Sequence, residues 1–578
     1  MNGYKSARCL SHSFFLSIPL ACLALVLGPS LSAQSAPLVE RLSQDTVFYV
    51  EWRGAASLGA AQQKNHLLQL LRDPETAQMM AGVSSQLQKN PTDTSPFAAM
   101  LLPDLASFLD NGLVFGFQAN PDAGHPTADK HVSPFSVFLV YDATGKTDLI
   151  RKWQAFGQMG SKTPVDISRY DFGGVSVEVR KTASGASYSA ETGKYFLAAD
   201  QKKVIEDLIN RFSAAAPPAS SVTHLAEYGQ IRKYVGDDAA LEFFGRLPDV
   251  SKWSIPSNAN GKSAEQFVKN LHLDKLHVLG GGLSLDTEAA RIQGAVLGDL
   301  TPASPFDIAG KSSASFQTLP AIEAGPLFSV TRINLPALYQ LIMGAIADNL
   351  TPQQAGNVQM AEAAAQSFLG MPIIDALRLF TGEIGSTTAY TDDGKTEQLF
   401  ALSIQKPDSV LRVVRALVGT MIVSEDSSGA TTYLDLAYPY MDPETHQRRR
   451  KFYYVAVAPQ MLLVAPRKVM LRQAIERLGG GTADPPPLGV SASSEYAHLR
   501  LRLPEKLSGL GAADIGAIPW DKLMANLATQ ASQRAKQANQ PPPDLSWLKA
   551  GVISRYLHIS VSGWWKDSNG VYFDSYIQ

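Results

Sequence analysis

Two stretches of this sequence align with each other without a gap, and each predicts a strand followed by a helix. The first stretch is Tyr195–Phe212 (YFLAADQKKVIEDLINRF) and the second is Met461–Leu478 (MLLVAPRKVMLRQAIERL). In both, a short apolar run precedes apolar residues at helical spacing, which predicts a strand and an amphipathic helix. This repeated unit constrains the fold strongly, because each copy needs a sheet against which to bury its apolar stripe.

The similarity between the two parts of the chain extends beyond this unit. The predicted strand Thr46–Trp52 corresponds to Leu327–Ile333, and Phe135–Tyr141 corresponds to Gln398–Ile404. We therefore predict an α+β fold with two tandem related halves, each an antiparallel sheet with helices packed on one face. A single sheet shared by both halves is an alternative that the sequence leaves open.

Other predictions concern individual elements. Each strand–helix unit begins with the last strand of a predicted three-stranded meander, which starts at Val175 in the first half and at Thr431 in the second. The segment Ala56–Arg72 is predicted to form a helix. The segment Ala497–Leu503 (AHLRLRL) alternates between apolar and polar residues, and this pattern predicts a strand.

Length and the N-terminal sequence predict the domain organisation. A chain of 578 residues is too long for one ordinary core. Its N-terminus has the pattern of a secretory signal peptide, because Lys5 and Arg8 precede an apolar run at Phe14–Leu27. The predicted divisions are a signal peptide at residues 1–33, a first half at 38–298, a linker at 299–325 and a second half at 326–578.

The signal peptide predicts an exported protein that is periplasmic or associated with the cell envelope. A retained membrane anchor and a lipoprotein attached through Cys22 are the alternatives. Both cysteines, Cys9 and Cys22, lie in this segment, so the predicted mature chain has no cysteine for disulfides, thiolate nucleophiles or metal ligation. No transmembrane segment is predicted in the mature chain.

Composition argues against one class of partner. The chain is 45% hydrophobic and 18% charged, which is typical of globular proteins. Its formal net charge of −2 gives no overall attraction for nucleic acids or for anionic membranes. We therefore predict that nucleic acid is not a partner.

The start of the predicted mature chain resembles a known family. The segment Leu42–Val50 (LSQDTVFYV) is similar to the opening of an uncharacterised family of exported bacterial proteins with a domain of unknown function. The mature region of that family begins with an LPADT-like motif and a strand, and here Ser43 and Gln44 stand in place of Pro and Ala. The resemblance implies export, and it implies no catalytic residue.

Sequence motifs of the common catalytic and metal sites are absent. The chain contains no HExxH and no GxSxG motif, and the triplets Gly261-Lys262-Ser263 and Gly310-Lys311-Ser312 lack the earlier glycine of a phosphate-binding loop. We assign no catalytic residue, no cofactor and no metal site. His277 and His558 recur at matching positions, but packing explains them better than a shared metal, because neither has a second ligand nearby in the sequence.

The adjacent Trp564 and Trp565 are the apolar residues most suggestive of function. Neighbouring strand residues face opposite sides of a sheet, so one ring can be exposed, to stack on a sugar or to anchor a partner, while the other packs. The favoured interpretation is that a helix or the other half covers the exposed ring. The loop Ala119–Ser133 and the basic run His446–Lys451 also differ between the halves. The basic run is expected at a solvated hairpin tip, and contact with acidic polymers or lipid headgroups is the alternative.

Together these features predict an exported, non-enzymatic binding or scaffold protein of the bacterial envelope, with an unidentified envelope protein or polymer as partner. The expected binding surface is a groove between the halves or an exposed face of a sheet. A hydrolase of envelope polymers without a recognisable motif is one alternative, and a structural envelope component is another. A cleft with two or more convergent ionisable groups would favour the hydrolase.

Overall fold

The structure is a computed structural model of the chain. It describes residues 37–89, 108–120, 135–151, 165–182, 185–247, 272–299, 305–347, 350–391, 393–441, 447–479, 489–537, 549 and 551–578. The predicted signal peptide and the triplet Gly261-Lys262-Ser263 lie outside the described residues. So do His446 and all of the loop Ala119–Ser133 beyond its first two residues.

The described residues contain twenty strands interspersed with helices, and the fold is α+β as predicted. The strands of the first half are β1 Thr46–Trp52, β2 Leu113–Ala119, β3 Phe135–Asp142, β4 Asp166–Phe172, β5 Val175–Thr182, β6 Gly185–Thr192, β7 Tyr195–Ala199, β8 Leu241–Arg246, β9 Leu276–Leu285 and β10 Ala290–Gly298. Those of the second half are β11 Leu327–Arg332, β12 Phe380–Tyr390, β13 Thr396–Ile404, β14 Ile422–Ser428, β15 Thr431–Met441, β16 Arg448–Ala458, β17 Met461–Ala465, β18 Gly509–Asp514, β19 Ile559–Lys566 and β20 Gly570–Ile577.

These strands form one antiparallel sheet. In the first half the spatial order is β4-β5-β6-β7-β3-β2-β1-β8-β9-β10. In the second half it is β14-β15-β16-β17-β13-β12-β11-β18-β19-β20, which is the same order in the corresponding strands. The predicted three-stranded meanders therefore have four strands each, β4–β7 and β14–β17.

The two halves meet where β10 pairs with β20. The pairing runs from Ala290 opposite Ile577 to Leu297 opposite Gly570, so the sheet is shared, as in the alternative that the sequence left open. Near the centre of this pairing Gln293 lies opposite Asp574. Both occupy the same position in their own hairpins, three residues beyond the strand pair that closes the turn, so a pseudo-two-fold axis passes between them.

Helices connect the strands and cover parts of the sheet. In chain order they are α1 His66–Arg72, α2 Pro74–Lys89, α3 Lys202–Ser213, α4 Ala226–Val235, α5 Leu319–Ile322, α6 Leu335–Ala347, α7 Pro352–Leu369, α8 Ile373–Leu377, α9 Pro407–Val418, α10 Lys468–Leu478, α11 Ser494–Leu501, α12 Trp520–Gln537 and α13 Gly551–Tyr556. Within the part of the chain that the structure describes, none of them is long and apolar enough to cross a membrane.

The repeated unit is confirmed as a strand followed by a helix in both halves. Strand β7 leads into α3, whose apolar residues Val204, Ile205 and Leu208 are almost completely buried. Strand β17 leads into α10, where Leu471 and Ala474 are fully buried. Each helix packs on the sheet through the stripe that the sequence spacing predicts.

Both faces of the sheet are covered by helices. On the front face, Leu197 packs in one core with α3 and α4, and Leu463 packs in another with α10 and α11. On the back face, Phe196 packs in a core with α1, and Leu462 packs in a core with α9. The structure thus differs from the prediction of helices on one face, because strand residues of both parities are apolar.

Each half contains a buried carboxylate that holds a short helical turn on the front face. In the first half, Glu51 Oε1 accepts hydrogen bonds from the amides of Leu38 (2.5 Å) and Val39. In the second half, Glu383 Oε1 accepts from the Thr318 amide at 2.6 Å, while Glu383 Oε2 accepts from Arg332 Nη2 at 2.9 Å.

Electrostatic surroundings distinguish these two carboxylates. Glu51 is 1% exposed and lies directly across from Glu242 of β8. Burial, and then the charge of Glu242, raise the pKa of Glu51 to about 7. Glu383 is also buried, but it forms an ion pair with Arg332.

Two sequence predictions of individual elements are wrong. The segment Ala497–Leu503 lies mostly in the helix α11, which begins after Ser493 accepts a hydrogen bond from the Tyr496 amide. Only part of Ala56–Arg72 is α-helical, because 3-10 turns precede α1.

The predicted linker at 299–325 contributes residues to a hydrophobic core, since Phe316, Ala321 and Ile322 are buried in the front core of the second half.

Candidate binding cleft

A cavity of about 650 Å³ lies on the front face where the two halves meet, and we call it the junction cleft. One side is formed by the last turns of α4, and the floor by the end of β10 and the start of β9. The opposite side is the turn between β19 and β20. Residues of both halves therefore line it.

Three aromatic rings form one wall of the junction cleft. Trp565 and Tyr572 are directly opposite each other in the β19–β20 hairpin, and their rings stack with centroids 5.7 Å apart and planes 13° apart. The ring of Tyr234, from α4, meets Tyr572 edge-on at 5.1 Å and Trp565 at 6.2 Å. Edge-to-face and stacked contacts of this kind stabilise an aromatic cluster.

Hydrogen bonds to a buried carboxylate hold this aromatic wall in place. Tyr234 Oη donates to Asp574 Oδ1 at 2.8 Å, and Arg291 Nη2 donates to Asp574 Oδ2 at 2.8 Å. Asp574 is only 2% exposed. Burial and the Asp574 charge raise the pKa of Tyr234 well above its ordinary value, so this hydroxyl stays a hydrogen-bond donor at physiological pH.

The rest of the cleft lining carries charges of both signs. Lys233 lies on α4 next to Tyr234, and Asp567 lies in the β19–β20 turn. His277 Nε2 lies 3.4 Å from Asp299 Oδ1. The cleft therefore combines apolar ring surface with positive and negative hydrogen-bonding groups, which is the composition of a site for a small polar ligand.

The structure separates the two tryptophans that the sequence singled out. Trp565 faces the junction cleft. Trp564 lies on the back face, opposite Gly509 of β18 in the strand register. A Cβ atom at Gly509 would lie 1.9 Å from Trp564 Nε1, so the ring covers this glycine. Both rings are half-buried, and only Trp565 contributes to the candidate site.

A second corner of the molecule occupies the equivalent position across the pseudo-two-fold axis, and we call it the closed corner. There Arg502 Nη2 donates to Asp286 Oδ2 at 2.7 Å, which ties the end of α11 to the β9–β10 turn. The guanidinium groups of Arg291 and Arg502 lie 5.5 and 4.7 Å from the centroid of the Tyr576 ring. Ion pairs and cation–π contacts therefore occupy this corner, where the junction cleft has aromatic rings and a cavity.

The matching histidines His277 and His558 have different surroundings. His277 pairs with Asp299 at the junction cleft, whereas the ring of His558 packs edge-on against His66 with centroids 6.2 Å apart. Within the described residues, no group of three or more His, Cys, Asp or Glu side chains is placed to hold a metal ion.

Two other sequence features have defined positions. Arg448–Lys451 do not form a hairpin tip but lie on β16 itself, paired with Tyr438–Met441 of β15. The triplet Gly310-Lys311-Ser312 lies against β18 and β19, where Ser312 Oγ is 2.9 Å from Ser508 Oγ and accepts from the Lys566 amide at 3.2 Å.

Comparison with known proteins adds no relative. No family model, no curated protein and no solved structure matches this chain. The candidate site therefore rests on geometry alone.

Sequence reasoning missed the partners of Trp565. Tyr572 could have been found by counting back across the short turn Asp567–Asn569, because paired hairpin positions are set by turn length. Tyr234 carries no such signal, since α4 and the β19–β20 hairpin are far apart in the sequence.

Proposed function

We propose that this chain is an exported, non-enzymatic binding protein of the bacterial envelope and that its ligand enters the junction cleft. The observation that carries this proposal is the aromatic wall of Tyr234, Trp565 and Tyr572 beside Lys233 and Asp567. Aromatic rings contact apolar faces of a ligand, while charged groups bind its polar substituents. A sugar or short oligosaccharide of the envelope has both kinds of surface.

The proposed ligand can be tested by titration of soluble mono- and oligosaccharides, followed by calorimetry. Trp565→Ala should weaken the affinity for a bound sugar about tenfold, because it removes a stacking surface worth about 1.4 kcal/mol. Trp564→Ala is the matched control, since that ring lies on the back face over Gly509. Equal affinities for the two folded variants would contradict binding in the cleft.

We also propose that the halves are related by duplication. Two observations support this history: the strand order is the same in both halves, and the strand–helix units Tyr195–Phe212 and Met461–Leu478 occupy corresponding places in it. We likewise propose, from the segment Leu42–Val50, that the chain belongs to the exported family with an LPADT-like mature start.

Export itself is tested by the N-terminus of the protein recovered from its native cells. Cleavage of the proposed signal peptide gives a new N-terminus between about residues 33 and 37. Mass spectrometry of the envelope fraction should detect it. A chain that retains Met1 and stays in the cytoplasmic fraction would contradict the proposed address.

One observation favours a hydrolase as the second candidate. The pair His277–Asp299 and Ser568 of the β19–β20 turn all line the junction cleft, and His with a carboxylate is a common base in nucleophilic catalysis. However, no described contact is a hydrogen bond between Ser568 and His277, which a serine nucleophile needs. Hydrolysis of envelope oligosaccharides or esters that is lost in His277→Ala would favour the enzyme.

A further inference from the structure

The far ends of β15 and β16 form an exposed two-stranded ribbon, composed of Tyr438–Met441 and Arg448–Phe452. Each of its pairs joins an apolar residue or proline to a basic residue: Tyr438 to Lys451, Pro439 to Arg450, Tyr440 to Arg449 and Met441 to Arg448. All of these side chains are exposed. The segment that connects the two strands lies outside the described residues. Its sequence includes Asp442 and Glu444, so residues 438–452 contain four Arg or Lys residues and two acidic ones.

Large apolar side chains point to both sides of the ribbon. Successive strand residues face opposite sides, so Tyr438 and Tyr440 face one side of β15 and Met441 faces the other. Tyr438 is 48% exposed, Tyr440 37% and Met441 55%. Phe452, which shares the side of Met441, is 47% exposed. Exposed apolar groups of this size, mixed with basic ones, mark an interaction surface.

The corresponding ribbon of the first half lacks this character. There Arg180 of β5 is held by Glu178 at 2.8 Å, and Arg169 of the neighbouring strand binds the same carboxylate at 3.0 Å. Two of its positive charges are therefore paired with an acid, and the strands β5 and β6 are shorter than β15 and β16. The exposed ribbon is a property of the second half.

We propose that this ribbon binds an anionic lipid surface by inserting its exposed side chains among the headgroups. Arg and Lys are attracted to the negative surface potential of anionic lipids. Their apolar stems pack at the boundary while the charged ends stay with the phosphates. Tyrosine rings are stable at the same depth, because one end of the ring is apolar and the other polar.

The two-sided arrangement favours a lipid layer over a flat partner. A rigid protein surface or an extended polyanion contacts one side of a ribbon and leaves the other in water. A headgroup layer surrounds the inserted ribbon, so Tyr440 on one side and Met441 on the other lose contact with water together. The overall charge of −2 does not oppose this local attraction, because charges farther than about 10 Å are screened at moderate salt.

Vesicle co-sedimentation tests the charge requirement with the full chain. Binding is expected to vesicles of phosphatidylglycerol and phosphatidylcholine, to fall with added salt, and to be weak for phosphatidylcholine alone. The variant R449E/R450E should lower the partition coefficient at least about tenfold. The control R472E/K506E changes the net charge equally at two exposed positions outside the ribbon and should bind within about twofold of the original chain. Equal binding by R449E/R450E and the control would overturn the proposal.

Fluorescent labels on the two sides test insertion. In a chain with Cys9 and Cys22 replaced by serine, an environment-sensitive dye is attached to Y440C or to M441C. Both dyes should shift to the blue on anionic vesicles, and both should be quenched by brominated lipid. A shift on one side only would overturn insertion. Equally tight binding to soluble heparin that does not change in Y440S/F452S would instead assign the ribbon to an acidic polysaccharide.

Discussion

The junction cleft and the closed corner occupy equivalent positions in the two halves but have opposite chemistry. Glu227-Tyr228 in α4 matches Glu495-Tyr496 in α11, and six residues further on stand Tyr234 and Arg502. The ring of Tyr234 packs against Tyr572 in the aromatic wall, whereas Arg502 forms an ion pair with Asp286 in the β9–β10 turn. The corresponding helices α4 and α11 place these two side chains at equivalent positions. The difference between tyrosine and arginine there accounts for the aromatic wall at one corner and the ion pair at the other.

The β9–β10 and β19–β20 turns, beside the two corners, have the same hydrogen-bond pattern. Asp286 Oδ1 accepts from the amides of Glu288 and Ala289, and Asp567 Oδ1 accepts from those of Asn569 and Gly570. Both aspartates thus stabilise their turn in the same way. Partial burial raises the pKa of Asp286, but the Arg502 guanidinium and the turn amides outweigh it and hold the pKa below the usual range.

The largest loss of stability is expected near the pseudo-two-fold axis, where Arg291 pairs with the buried Asp574. Arg291→Met should lower the free energy of unfolding by about 3 kcal/mol, because it leaves the buried Asp574 carboxylate without its cation. Urea unfolding at neutral pH measures this. A loss below about 1 kcal/mol would mean that Tyr234 alone satisfies Asp574 and that the two corners are independent.

The buried carboxylates give a pH test of the difference between the halves. Glu51 has a pKa of about 7 in the folded chain, above its unfolded value, so the native state keeps a proton that the unfolded state loses. This contribution to stability is complete below the unfolded pKa and is lost as pH rises through about 7. Between pH 5 and pH 8 the loss amounts to about 2.5 kcal/mol.

Substitution separates Glu51 from Glu383. Glu51→Gln cannot ionise and keeps an oxygen acceptor for the Leu38 and Val39 amides, so it should flatten the decline in stability between pH 5 and pH 8. Glu383→Gln should destabilise instead, because it removes the charge that balances Arg332. Urea unfolding over this pH range compares the two variants. Parallel pH profiles for Glu51→Gln and the original chain would contradict the role of Glu51.

The smallest effect is expected at the closed corner. Arg502→Met should cost about 1 kcal/mol or less, since both Arg502 and Asp286 are about one-third exposed or more. The loss should shrink further at 1 M salt, because exposed pairs are screened. Thermal unfolding at low and high salt measures it. A loss as large as that of Arg291→Met would show that the ion pair, and not the axis, holds the corner closed.

Local patterns in the sequence were enough for the units that repeat. Thr46–Trp52 is a strand with the predicted bounds, and the two strand–helix units form as expected, because apolar spacing records which side of an element is buried. The pattern of Ala497–Leu503 was misleading. Leu499 is fully buried in α11 while Leu501 is 86% exposed, so the alternation did not correspond to two faces of a strand.

Long-range pairing and the partners at the site could not be predicted. Strand β10 joins β20 without any local signal, since an edge can pair with any strand of compatible register. The sequence did identify Trp565 as a candidate contact. It could not separate Trp565 from Trp564, because the choice of face depends on Gly509 and on α4, which are distant in the chain.

The pairing of β10 with β20 leaves β4 and β14 as the outermost strands of the described sheet. Asp166, Arg169 and Asp171 interrupt β4, and Glu425 and Asp426 interrupt β14. Charged side chains on an edge strand discourage a further strand from adding to it. The charged borders of this sheet therefore oppose the end-to-end addition of a second copy, to which a sheet with two open edges is otherwise prone.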